Sequence, residues 1–265
     1  LYNEWHNKCN GRIKVCVGIH APYTCPPDTI RRSLELADRL GTPVHIHYLE
    51  TQDEVNQIFE TYEKSVTDYL KDLNLFNYHV ILAHGVKVND DDIEVLKNIS
   101  GGIVHNPISN MKLGSGFAPV KKMRDAGISV ALGTDGQGSA NTLDMFEEIK
   151  LAAYLQKGMF GTAAAISAKD VLEMATIEGA RVLGIDSEVG SLEVGKKADI
   201  ILIDLNKPHL LPRQDIYSLL AYSVNGADVD TSIIDGKIVM EDRKVLGADE
   251  DEMKQRIEMT KNRLF

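Results

Sequence analysis

The chain has 265 residues, 43% hydrophobic and 26% charged; that is enough apolar content for one large core, or one core with a small satellite, and it excludes a disordered chain. Its 29 Lys and Arg against 39 Asp and Glu leave a formal net charge of −10, which excludes the basic footprint that nucleic acid or an anionic membrane surface demands and points to small-molecule partners. No apolar run of about 18 residues, basic-then-apolar leader or lipidation signal can be read, so no membrane span is expected and the default location is cytoplasmic.

The opening residues Leu1, Tyr2, Asn3, Glu4, Trp5 and His6 run without an initiator Met toward an apolar stretch, as though the numbering starts inside a larger fold; the expectation is an N-terminal truncation. Cys9, Cys16 and Cys25 are odd in number and form no CxxC pair, so they are expected as reduced thiols in or near the core. From residue 15 onward short β-rich runs alternate with longer helical patterns: strand 15–19 and helix 28–40, strand 44–48 and helix 52–73, strand 79–83 and helix 90–98. Pro26, Pro27 and Asp28 make a helix start, and Leu40-Gly41-Thr42-Pro43 a helix stop. Strand 102–105, helix 118–126, strand 128–133 and helix 143–156 continue the alternation. Parallel strands with crossover helices are predicted, an α/β arrangement with the rhythm of a (β/α) barrel.

After another helical stretch at 168–183 the texture changes. The run 190–199 leads into a strand at 200–203, and strands at 232–234 and 237–240 flank Asp235-Gly236, a strong hairpin signal. Residues 1–185 are thus expected to form the barrel part, and 186–265 a small β subdomain closed by a charged amphipathic helix at 249–263.

Polar residues of catalytic type end the strand candidates: His20 after the first, His45 and His47 in the second, His84 after the third, His105 after the fourth and Asp135 after the fifth. In a parallel barrel the C-terminal strand ends form the active-site face. One histidine beside an apolar run is usually a hydrogen-bonded core residue; five converging positions weigh against that for the set. His45 and His47 point to one side of their strand, and Glu50 follows where the strand leaves for its loop. Imidazole plus carboxylate suits Zn²⁺ or Fe²⁺, whose bound water has a pKa near about 7. Asp135 is the best carboxylate ligand on offer, although in Gly133-Thr134-Asp135-Gly136 it reads equally as a turn residue.

The segments His20-Ala21-Pro22-Tyr23-Thr24-Cys25, His45-Ile46-His47-Tyr48-Leu49-Glu50-Thr51, Ala83-His84-Gly85, His105-Asn106-Pro107-Ile108-Ser109-Asn110-Met111-Lys112-Leu113 and Leu132-Gly133-Thr134-Asp135-Gly136, in this order, resemble the amidohydrolase superfamily. Within it they are most similar to the branch that hydrolytically deaminates adenosine-type thioether nucleosides, 5′-methylthioadenosine and S-adenosylhomocysteine. The resemblance implies a (β/α)8 TIM-type barrel and one divalent metal ion, zinc first and iron as alternative, with no organic cofactor. In that family the metal is held by an HxH pair on the first strand, a His on the fifth and an Asp on the eighth. The last two map to His47 and Asp135. The HxH pair is expected upstream of His20, so the barrel is expected to be incomplete, covering about strands 4–8. The resemblance further makes Glu50 the proton shuttle, His84 the group stabilising the attacking oxygen, Asp135 a metal ligand that also moves protons toward the departing ammonia, and His20 a substrate contact. Glu50 and Asp135 belong to the substrate-binding set as well. His105 and Asn106 are expected to pack and shape the loop, with His105 hydrogen-bonded.

Two departures bear on substrate preference: Gly85 stands where the family usually has Cys, and Gln137-Gly138-Ser139 where Ala-Ala-Ser is common. Relatives acting on guanine, cytosine or chlorinated triazines are the nearest alternatives. A different class is an inactive barrel remnant that acts only through association. A partial barrel leaves open strand edges, so a homo-oligomer or a missing N-terminal partner segment is expected.

Overall fold

The computed structural model describes residues 1–264. Strand β1 is Val17–Gly18 and β2 is Val44–Tyr48. Along β2 burial alternates, with Val44, Ile46 and Tyr48 buried and His45 and His47 half-buried on the opposite side. Between them helix α1, Pro27–Leu40, starts with Pro at a position whose missing N–H leaves nothing unsatisfied. It ends at Gly41 in the left-handed conformation with φ 60° and turns Ile30, Leu34 and Ala37 inward.

Helices α2 (Gln52–Tyr62) and α3 (Val66–Asp72) lead to β3, His79–His84, in which all but His79 are buried. A strand covered on both faces is what a parallel sheet between helix layers requires. The chain continues through α4 (Asp90–Leu96), β4 (Ser100–His105), α5 (Pro107–Lys112), α6 (Val120–Asp125) and β5 (Val130–Leu132). The five strands form one sheet in the order β1-β2-β3-β4-β5, every pairing parallel. Register aligns His45 with Ile81, His47 with Ala83, Ala83 with Val104 and Val104 with Ala131, so one face carries His45, His47, Ile81, Ala83, Val104 and Ala131. On that face Ile81 and Ala131 cluster with Val182 of a later helix. The main core lies on the other face, where Ile46, Tyr48, Leu82 and Ile103 meet α1 and its successors.

Helix α7 (Met145–Phe160) buries Ile149, Ala152 and Ala153, and is followed by α8 (Ala168–Met174) and α9 (Ile177–Leu183). The tail holds a second sheet, β6 (Ile200–Ile203), β7 (Val229–Ile234), β8 (Lys237–Glu241) and β9 (Lys244–Val245), all antiparallel, with α10 (Ile216–Tyr222) inserted before β7. Asp235 at φ 51° and Gly236 at φ 74° make the β7–β8 turn, the pair of positive φ values that a two-residue hairpin needs. Helix α11 is Glu250–Leu264. Among the described residues no helix is long and apolar enough to cross a membrane.

Several sequence expectations need correction. The helix expected at 52–73 is two helices, because Glu63 turns left-handed at φ 55° and Ser65 caps a new start by accepting from Asp68 N–H. The stretch at 168–183 is likewise broken, at Thr176 with φ −129° and ψ −96°. The terminal helix forms but packs on nothing: none of its described residues is buried, and Met253, Ile257 and Met259 stay exposed. The cysteines are free, yet Cys9 and Cys16 are exposed and only Cys25 is half-buried, since Cys9 sits in a left-handed surface turn at φ 51°.

The tightest backbone approach lies between β3 and β4. Gly101 has φ 98°, and a Cβ there would overlap the Val80 carbonyl oxygen. Gly101→Ala is therefore expected to destabilise the protein by about 3 kcal/mol or more, through strain and a broken strand pairing. Denaturant unfolding of the variant beside the parent checks this.

Candidate active site

The polar strand ends converge. The His20 and His47 rings lie 5.1 Å apart by centroid, and His47 stacks on His84 at 5.4 Å with an interplanar angle of 18°. His45 stands edge-on to His47 at 6.0 Å. Glu50 Oε2 comes within 3.7 Å of His84 Nε2. Three residues at these strand ends are left-handed without being glycine: Leu49 (φ 49°), His84 (φ 82°) and Asp135 (φ 57°). Such positions cost about 1–3 kcal/mol each and persist only where the surroundings over-determine them, as they do at functional sites.

His47 has a fixed tautomer. Its Nδ1–H donates to the His20 carbonyl oxygen at 2.5 Å, and the same carbonyl accepts the His47 backbone N–H at 3.0 Å. The ring is thereby left with its lone pair on Nε2, which is how a ligating histidine is prepared. Asp135 accepts from Ser109 Oγ–H at 2.6 Å and from Gly136 N–H at 2.6 Å. Burial alone would raise its carboxyl, but these hydrogen bonds together with His84 outweigh it and hold Asp135 below the usual carboxylate range. Glu50 accepts from Ser115 Oγ–H at 3.2 Å. His20 pairs through Nδ1 with Thr24 Oγ1 at 2.6 Å and meets Tyr23 edge-on at 6.4 Å. Burial, then Glu54 and Glu50, raise the Tyr23 phenol.

Two of the predicted strand-end histidines behave differently. Burial first, then His47 and His84, lowers the His45 imidazole. His105 is only 1% exposed, and burial with the nearby His84 drives it down to about 3, so it is neutral. Neither of its ring nitrogens has a hydrogen-bond partner among the described residues, against the expectation of a satisfied packing residue. Its neutrality is what makes that tolerable, since an uncharged ring costs far less to bury than an imidazolium.

Residues without an assigned role in the sequence brace the site. The Glu54 carboxylate, 1% exposed, accepts Leu49 N–H at 3.1 Å and Glu50 N–H at 2.8 Å, holding the turn that aims Glu50. Glu148 on α7 accepts Ile108 N–H at 3.1 Å. Asn110 Oδ1 lies 2.8 Å from His84 Nδ1, within hydrogen-bond distance. The only signal in the sequence is polar density: acidic residues spaced along apolar helices, and Ser109, Asn110 and Ser115 clustered after a strand.

Residues 2–239 match the amidohydrolase family, and the chain belongs to it. It is 53% identical over 258 residues to a 5-methylthioadenosine/S-adenosylhomocysteine deaminase of Caldanaerobacter subterraneus subsp. tengcongensis, a match covering 97% of this chain and 60% of the relative. With a 5′-deoxyadenosine deaminase of Methanosarcina acetivorans the identity is 49% over 249 residues, covering 94% and 57% respectively. The fold superposes with a TM-score of 0.94 on the crystal structure of an adenosine deaminase from Xanthomonas campestris with bound zinc, 34% identical, over 97% of this chain and 58% of that one. The chain thus spans about 60% of the length of the curated relatives it matches.

The bracing carboxyls carry a pH signature. Burial pushes Glu54 and Glu148 from 4.5 up to about 7, with backbone N–H bonds offsetting part of the rise. A carboxyl raised in the folded state favours folding at low pH, and that contribution is lost as pH climbs from 4.5 through about 7. Stability is therefore expected to fall between about pH 5 and about pH 8, by roughly 3 kcal/mol per group at the upper bound. Glu148→Gln should remove about half of the fall, as denaturant unfolding at both pH values will show.

Proposed function

We propose that this chain is part of a metal-dependent hydrolytic deaminase of adenosine-type thioether nucleosides, 5′-methylthioadenosine or S-adenosylhomocysteine, releasing ammonia. The observation that carries the reading is the pairing of Glu50 with His84 at 3.7 Å beside His47 and Asp135. Deaminase names among relatives at 49–53% identity support it.

His47, its Nε2 lone pair free, and Asp135, held ionised, fit a divalent cation, which we take as zinc, with iron the alternative. Such an ion would supply Lewis acidity and a water of lowered pKa. Glu50 takes a proton from the attacking water and delivers it to the purine ring nitrogen, its other oxygen held by Ser115. The His84 ring stabilises the attacking oxygen. Asp135 passes a proton toward the leaving amine, and His20 meets the substrate at the mouth. The bond formed joins the water oxygen to the purine carbon; the bond broken is that carbon to its amino nitrogen, which leaves as ammonia.

In this reading the five parallel strands are about strands 4–8 of a (β/α)8 barrel within residues 1–185, with residues 186–265 as a small β subdomain and terminal helix. The HxH ligands would come from the part of the relatives that this chain does not span, within a longer protein or an associated chain that carries that part, in the cytoplasm. One observation favours a second reading, a chain that acts only by association: among the described residues no group of three or more His, Cys, Asp or Glu side chains is placed to hold a metal ion.

Ultraviolet absorbance on 5′-methylthioadenosine, S-adenosylhomocysteine, 5′-deoxyadenosine, guanine and cytosine, with zinc supplied, tests the proposal; turnover of the adenosine thioethers is expected, and turnover of the free bases alone would overturn it. Glu50→Gln should cut kcat by about a thousandfold while zinc content is retained. His47→Ala should instead lower zinc content after dialysis, measured by elemental analysis.

A further inference from the structure

One short stretch touches three groups of the proposed mechanism, the two carboxylates that move protons and the histidine that stabilises the attacking oxygen. From α5 and the turn after it, Ser109 Oγ–H donates to Asp135 Oδ2 at 2.6 Å, Asn110 Oδ1 lies 2.8 Å from His84 Nδ1, and Ser115 Oγ–H donates to Glu50 Oε1 at 3.2 Å. All three braces are buried, at 0%, 1% and 5% exposure, so water does not compete for the bonds. We propose that residues 109–115 form a positioning clamp that sets the orientation of Asp135, His84 and Glu50 together, and that Asn110 selects the proton position on His84. The inference rests on the deaminase reading for its catalytic consequence.

The stretch is built to act as one body. Pro107 fixes its entry at the start of α5, and Ile108 N–H is anchored to the Glu148 carboxylate at 3.1 Å. The Asn110 carbonyl oxygen accepts Ser115 N–H at 2.9 Å, and Leu113 N–H bonds to Ser109 O at 2.9 Å. The Ser115 backbone is therefore tied to that of Asn110. With the Asn110 amide oxygen facing the ring, His84 Nδ1 carries a proton, and Nε2, facing Glu50 at 3.7 Å, takes up a second one when the ring stabilises the attacking oxygen. Asn106 Nδ2 also stands 3.5 Å from His84 Nδ1 and would impose the opposite tautomer. The contact to Asn110 is the shorter, at 2.8 Å against 3.5 Å, and the proposed proton position follows it.

Long-range ¹⁵N–¹H NMR of the histidines at fixed neutral pH should show His84 with its proton on Nδ1. Asn110→Leu should move that proton to Nε2, while Asn110→Asp, which keeps an accepting oxygen, should leave it on Nδ1. In zinc-supplied protein, Ser109→Ala and Ser115→Ala should each lower kcat about tenfold with KM changed less than about twofold, and Ser→Thr at the same positions should restore kcat. A wild-type His84 protonated on Nε2, or alanine variants with parental kcat, overturns the clamp. If the parent deaminates none of the nucleosides, the deaminase reading fails, and the NMR result alone still decides the clamp.

Discussion

The parallel register between β2 and β3 is the constraint on which the rest of the site depends. It sets His47 beside Ala83 and Tyr48 beside His84, and so allows the His47 and His84 rings to stack although one belongs to the sheet face and the other to its rim. A slip of one residue would carry His47 into the apolar layer now filled by Ile46 and Tyr48 and turn those two toward the histidines. The apolar cost of that exchange, about 1.5–3 kcal/mol for each large side chain, is what makes the register unambiguous. Left-handed residues then end the ladder: Leu49 turns the chain toward Glu50, and His84 and Asp135 swing their own side chains out of strand alternation.

Carboxylates near the site divide by the donors they receive. Asp135 is partly exposed and takes a hydroxyl and a backbone N–H at 2.6 Å, so the ionised form is favoured. Glu54 and Glu148 are sealed away from water and receive backbone N–H groups alone, so their carboxyls sit near about 7. The same functional group thus serves as a charged partner at the rim and as a brace beneath it, and burial rather than residue type draws the line. His105 follows the same rule from the other side, kept neutral by an interior with no hydrogen-bond partner for it among the described residues.

The helices expected unbroken at 52–73 and 168–183 fail for a shared reason. No glycine or proline marks the breaks at Glu63 and Thr176, so a helical pattern runs through both; after Glu63 a new helix buries Val66, Tyr69 and Leu70, where the one before it buries Ile58. The final helix shows the converse, with Met253 and Ile257 spaced as an apolar stripe that nothing in the described fold buries. Local spacing reports which face an element could bury, while burial itself needs a neighbour at the right distance.

What the sequence by itself determined is the alternation of strands and helices, the hairpin at Asp235-Gly236, and the polar residue closing each parallel strand. Periodicity, turn chemistry and order along the chain are one-dimensional properties. Only the tertiary structure decided which of those side chains meet and what holds them. Ser115 and Glu50 are 65 residues apart, and His84 and Asn110, like Ser109 and Asp135, are separated by 26. Contacts at such separations exist only where the strand ends bring loops to a common rim, and a hydrogen bond tolerates an error of only a few tenths of an ångström in that meeting.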